Sequence, residues 1–149
     1  VLEKVGVRIY VLRKQVGRTE VLLVRPSAGP ARGEWAPVVG TIGTGETELG
    51  AALRALEEIA GLEPRRLYAT SVFSESAEGS LGRPGGMGVF VAFVGEEQRV
   101  QLAEDHSEHV WLSTGDAPTR LGVGEAQSLL RTVEAQFCKR APDEALRIL

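Results

Sequence analysis

Residues 5–12 alternate Val5, Val7, Ile9 and Val11 with Gly6, Arg8, Tyr10 and Leu12, a two-residue period that predicts a strand with one face in a core. Residues 14–18, with Gly17, read as a turn, and 20–25, EVLLVR, as a second and more continuously apolar strand. The two are expected to pair as a hairpin. PSAGPARG at 26–33 is loop by its Pro, Gly and Ser content, and WAPVVGTI at 35–42 reads as a short apolar strand interrupted by Gly40. The period then changes. Ala52, Ala55, Leu56 and Ile59 recur at i, i+3, i+4 and i+7, the buried stripe of a helix over 48–60. Thr47 is its expected N-cap, Glu48 complements the first turn, Gly61 stands where a left-handed residue ends a helix, and Pro64 blocks continuation. Leu62 can fold back on Leu56 across that cap.

Residues 66–74 and 87–94, rich in β-branched and aromatic side chains, predict two further strands, with short ones at 100–102 and 110–113. From 124 to 139, Ala126, Leu129, Leu130, Val133 and Phe137 form a second helical stripe, expected on the sheet face opposite the 48–60 helix or beside an edge. Pro142 opens a last short helix, DEALRIL, expected to cover an edge or to meet a second subunit in a homodimer. This order of elements predicts an α/β fold, a mixed sheet with helices on both faces.

Composition narrows the picture. A chain of 149 residues, 43% hydrophobic and 25% charged, can bury one substantial core, so a single domain over 1–149 is expected. A net charge of -3 with no dense Lys/Arg run argues against a nucleic-acid polymer as partner, and no apolar run approaches the roughly 20 residues of a membrane span. The one cysteine, Cys138, excludes an internal disulfide and reads as a small buried residue. No secretory signal is visible, so cytoplasm is the expected compartment, and a start at Val1 leaves room for further N-terminal residues. Fourteen Arg to three Lys suggests a G+C-rich bacterial source.

The candidate chemistry lies at a few points. Gly40 lets the backbone approach a neighbour or a ligand, and the Gly-rich turn after it delivers Glu46 to stand beside Glu58, to complement the helix dipole, or both. Arg54, Glu57 and Glu58 sit at i, i+3 and i+4, a trio containing a cation that reads more as a salt-bridged face than as a metal cage. Arg25 and Arg32 flank the 26–33 loop. Arg25 is a candidate phosphate contact against a solvated alternative, while Arg32 reads as solvated. EGSLGRPGG at 78–86 is either an unstructured connector or a lid that brings Arg83 to a phosphate. Glu104, Asp105 and Glu108 read as a solvated acidic loop, and His106 and His109 lack partners at zinc spacing.

Residues 40–62, GTIGTGETELGAALRALEEIAGL, resemble the signature of the Nudix hydrolases: G, five residues, E, seven residues, then R-E-U-x-E-E-x-G-U, with U aliphatic. Gly40, Glu46, Arg54, Leu56, Glu58, Gly61 and Leu62 match in register, preceded by Trp35 and Pro37. Ala55 and Ile59 stand where the family has glutamates, so the box is degenerate. The resemblance implies the Nudix α/β/α sandwich over almost the whole chain. It also implies pyrophosphohydrolysis, dependent on Mg²⁺ or Mn²⁺, of a nucleoside triphosphate or another nucleoside diphosphate linked to a group X. By the same resemblance the metal carboxylates would be Glu46, Glu58 and Asp105, and the catalytic group Glu58, Arg54 and Glu57. Arg54 would orient Glu58 or Glu46, and Arg25, Gly40 and Arg83 would lie on the substrate side. Residues 100–112, VQLAEDHSEHVWL, resemble one branch, the dihydroneopterin triphosphate and dATP pyrophosphatases, with Asp105 at the place of an added metal-binding Glu, followed by His106 and Trp111. An alanine offers no electron pair and an isoleucine makes a cation site drier. The competing expectation is therefore a Nudix-fold module that has lost hydrolysis and binds a nucleotide or a protein partner, with Ala55 and Ile59 extending the apolar stripe.

Overall fold

The computed structural model describes residues 3–74, 81–82 and 84–149. Strand β1 (Lys4–Gln15) is its centre, because both of its faces and both of its edges are occupied. It turns at Val16 and Gly17 into β2 (Arg18–Pro26), and the expected hairpin forms with Leu12 opposite Val21 and Gln15 opposite Arg18. Beyond Leu12 toward its start, β1 exchanges that partner for β3 (Val38–Thr41), which pairs Gly6 with Thr41 and Ile9 with Val38. One edge of β1 is thus shared by two antiparallel strands, and β2 splays away. Ala36, ahead of β3, bonds back to Val24 through both backbone groups at 2.8 and 2.9 Å, which holds β3 in the gap. On the other edge β5 (Gly86–Phe93) runs parallel, and β4 (Arg66–Ser74) pairs with β5. The order is β4-β5-β1-β2-β6, with β6 (His106–Ser113) along β2.

The alternation along β1 sorts two cores. Val7, Ile9 and Val11 pack with Ala51, Ala52, Ala55 and Leu56 of helix α1 (Glu48–Ala55) and its continuation, a wider π-helical turn at Leu56–Ala60. Tyr10 and Leu12 face the other way, against Leu129, Leu130, Val133 and Phe137 of α3 (Glu125–Val133) and its own wider last turn, Glu134–Cys138. Helices therefore lie on both faces of a mixed sheet, as the two apolar stripes require. Short α2 (Ala117–Leu121), with Pro118 in its first turn, links β6 to α3. No helix of the described residues is long and apolar enough to cross a membrane.

Residues 100–102 and the chain end differ from expectation, and β6 begins earlier than the expected 110–113. Residues 100–102 form no strand. Instead the Gln101 and Ala103 N–H groups donate to the carbonyls of Ala60 and Ile59, at 2.8 and 3.0 Å, supplying partners to groups that a helix end leaves open. The segment DEALRIL contributes only one 3-10 turn, Glu144–Leu146. Arg147 then bridges to Tyr68, and the Ile148 N–H donates to the Leu67 carbonyl at 2.8 Å, so the chain end runs along the open side of β4. That is the edge cover the sequence suggested, reached by an extended tail and not by a helix.

Candidate functional site

Gly40 is where β3 meets the helix. A Cβ built on it would lie 2.7 Å from the Ala55 Cβ, so the missing side chain is what lets α1 sit flush on the strand. The chain leaves β3 through Gly43 and Gly45, the latter at φ +74°, into a tight turn closed by the Glu46 N–H donating to the Gly43 carbonyl at 3.0 Å. The Gly43 N–H returns the contact to Glu46 Oε1 at 2.9 Å. Thr47 then caps α1, its Oγ1 accepting from the Gly50 N–H at 3.0 Å, as its residue type at that position predicts. Gly61 ends the helix at φ +67°, with Leu62 buried behind it.

Arg54 ties the turn to the helix. Its Nε and Nη2 donate to the two oxygens of Glu46 at 2.7 and 2.8 Å, a bidentate fork, while Nη2 also reaches the Thr41 carbonyl at 2.6 Å. Nη1 donates to Glu58 Oε2 at 3.2 Å. The Arg54 hydrogen bonds, helped by the Gly43 amide, hold the Glu46 carboxyl well below the usual range, at about 2. The same contact with Glu46 pushes the Arg54 guanidinium up. Glu46 is thus a fixed anion with both oxygens engaged. Glu58 has one oxygen on Arg54 and its Oε1 outside that contact, and Glu57 is exposed beside it. Ala55 is 1% exposed against Gly40, and Ile59 packs on the α1-side core.

Asp105 lies in a different setting. Its Oδ1 is 2.8 Å from His106 Nδ1, and its carbonyl accepts from the Ser27 N–H at 2.8 Å. With His106 it lines a recess of about 150 Å³ where β2 and β3 diverge, walled by Pro26, Pro30, Pro37 and Val39. Arg25 is held by its own neighbours: Nε donates to the Gly33 carbonyl at 3.1 Å, Nη1 to Glu108 at 3.2 Å, and its guanidinium lies 5.7 Å from the Trp35 ring centre. Arg32 is exposed, and Arg83 falls outside the described residues. The structure therefore joins Glu46, Arg54 and Glu58 in one network over Gly40, and leaves Asp105 and Arg25 each with another partner.

Among the described residues no three His, Cys, Asp or Glu side chains converge on one cation-sized point. The donors that remain open, Glu58 and Glu57, are hard oxygens. They fit Mg²⁺ or Mn²⁺ held by one or two carboxylates together with phosphates, and do not fit a closed protein cage. The expectation from sequence missed the Gly43 amide and the Thr41 carbonyl. The spacing of Gly43 and Glu46 across a tight turn was the available signal for the first. A backbone carbonyl carries none for the second. His106, the first residue of β6, lines the recess only because β2 and β3 diverge there, which its residue type does not signal.

The NUDIX domain model matches residues 2–132 of the chain. Over 136 residues the chain is 30% identical to the asymmetrical bis(5'-nucleosyl)-tetraphosphatase of Caenorhabditis elegans, an alignment covering 91% of this chain and 96% of that protein. Among solved structures it is similar to a C. elegans Ap4A hydrolase binary complex, at TM-score 0.75 and 27% identity, covering 94% of this chain and 100% of that one. It shares its fold with the NUDIX domain of Shewanella oneidensis NrtR complexed with ADP ribose, at TM-score 0.73 and 19% identity, covering 91% and 88%. The similarity in sequence is thus to an Ap4A hydrolase, and it supports the wider family without singling out the dihydroneopterin triphosphate and dATP branch.

Proposed function

The chain belongs to the NUDIX domain family, and from that premise we propose that it is a slow pyrophosphohydrolase of nucleotides with linked phosphates. The substrate class is a nucleoside triphosphate, a dinucleoside polyphosphate, or another nucleoside diphosphate joined to a group X. The observation that carries this reading is the Arg54 fork. One guanidinium fixes Glu46 as an anion and reaches Glu58, so the loop and the helix present a preset carboxylate pair over a strand with no side chain at Gly40.

Each residue has a task in that scheme. Arg54 positions and does not touch substrate, because three of its contacts are already to Glu46 and the Thr41 carbonyl. Glu58 offers Oε1 to water or to a cation on the phosphate chain, with Glu57 next to it. Asp105 and His106 bound the recess that takes the nucleoside end, and Arg25, committed to Gly33 and Glu108, shapes its rim. A divalent cation, when bound, neutralises phosphate oxygens and makes water a better nucleophile. With Ala55 and Ile59 in place of acids, the chain holds such an ion chiefly by sharing it with the phosphates.

A second reading is favoured by one observation: Ala55 and Ile59 are packed into the core, so the helix row that would face a cation is apolar. Under it the protein binds the nucleotide and does not cleave it. A panel of nucleotides with Mg²⁺ or Mn²⁺ separates the two. Phosphate or pyrophosphate release that exceeds the Glu58→Gln variant supports hydrolysis; saturable nucleotide binding by calorimetry with no release assigns the binding role; neither result rejects both. In the same preparation Mn²⁺ should bind weakly alone and more tightly with nucleotide. Ala55→Glu with Ile59→Glu should then raise nucleotide-free Mn²⁺ affinity, and no rise would count against the register of the box.

A further inference from the structure

The opposite end of β1 carries a feature that the nucleotide site does not use. Past the hairpin turn, where Gly17 takes φ +80°, a groove of about 470 Å³ is lined by Lys14, Arg18 and Lys139, by the hydroxyls of Thr19 and Ser113, and by Glu134. Across Lys14 a second groove of about 430 Å³ adds Arg65 and Arg66. In the second groove Glu96 also lines the wall and Arg65 is paired with Glu97 at 2.6 Å; in the first the carboxylates are Glu20, paired with Arg18, and Glu134. Arg18 shares the buried Glu20 with Arg13, one carboxylate for two guanidiniums. Burial alone would raise the Glu20 carboxyl, but the hydrogen bonds from Arg13 and Arg18 outweigh it and bring it below its ordinary value, so it stays ionised and spent on that pair. Glu134 accepts the Thr114 hydroxyl at 2.8 Å and lies 3.6 Å from Lys139. Lys14 meets no carboxylate among the described residues; its ammonium lies 5.9 Å from the Phe93 ring centre. A positive end on a chain of net charge -3 is a local concentration of cations, not a general excess.

The lining also says what is not recognised. Its one aromatic ring, Phe93, is 4% exposed and covered by Lys14 and by Arg66, the latter at 4.7 Å, so nothing is offered for a base to stack on. Ammonium, guanidinium and hydroxyl donors around open grooves match closely spaced phosphate oxygens. We propose that the Lys14, Arg18 and Lys139 groove is a second anion site that takes a short linear inorganic phosphate chain, independent of the nucleotide site. Seven residues of strand separate Val7, which pairs with Gly40, from Lys14, so the two sites lie roughly 23 Å apart at 3.3 Å per residue.

The test is a titration of the full chain with inorganic tripolyphosphate at low salt in the presence of EDTA, followed by amide NMR and calorimetry. Saturable binding is expected, with shifts at Gly17, Thr19 and Thr114. Lys14→Glu with Lys139→Glu should weaken it by about tenfold or more, Lys14→Gln with Lys139→Gln by less, and Glu58→Gln should leave it unchanged. The Gln pair keeps the comparison open should the charge reversal fail to fold. No saturable shift at millimolar tripolyphosphate, shifts confined to residues 41–46 and 54–58, or equal affinity in the Gln pair would each overturn the proposal. Tighter binding of a single-stranded oligonucleotide with the same shifts would assign the groove to a nucleic-acid backbone and overturn it too.

Discussion

At the scale of single residues the decisive group is Arg54. Its pairing with Glu58 is legible in the sequence, because a helix of 3.6 residues per turn puts Glu58 one turn on, whereas its reach toward Glu46 was implied by the family resemblance alone. That both oxygens of Glu46 are taken is not legible, since it depends on how Gly43 and Gly45 bend the chain. Removing the fork should release Glu46: in Arg54→Ala its carboxyl should climb from about 2 toward the ordinary value near 4.3, measurable by carbon NMR of the side-chain carboxyls. A folded-state value below the unfolded one makes the contribution to stability complete above about pH 4.3 and lost as pH falls toward 2. Melting temperatures of the wild type should accordingly fall more steeply over that window than those of Glu46→Gln. Parallel curves would mean that the Arg54 contact does not shift Glu46. Exposure of the group keeps the effect modest.

Among elements, α1 was the most readable, since its stripe, its Thr47 cap and its Gly61 stop agree about one helix over 48–60. Three things were not readable. Helix α2 is five residues long, too short for a period to register. Strand β6 starts at His106, four residues before the apolar run suggested, because charged side chains are tolerated on an exposed edge. Residues 100–102 have strand composition, but they pair with helix carbonyls instead of a strand. The contact between Gly40 and Ala55 is the element-level joint on which the site depends. Gly40→Ala would drive two Cβ atoms to 2.7 Å, and overpacking of this kind costs about 1–3 kcal/mol. Urea unfolding should show that loss with an unchanged m-value. An equally stable variant would mean that helix and strand are free to separate.

On the scale of the whole molecule, the two apolar stripes were enough to place helices on both faces, while the sharing of one edge of β1 by β2 and β3 was beyond the sequence. Strand order is a matter of long-range pairing that local pattern does not encode. Residues 7–9 are laddered to β3 on one side and β5 on the other, with Val7 and Ile9 in the α1 core and Arg8 reaching Glu125 of α3 on the other face. Laddered on both edges, these residues have no free edge from which to fray. Protons on those three amides should therefore trade with deuterated solvent only through complete opening of a molecule, at the free energy that denaturant reports. Faster trading there than global unfolding allows would reveal a molecule that opens in halves, with the two extremities of β1 breathing on separate clocks.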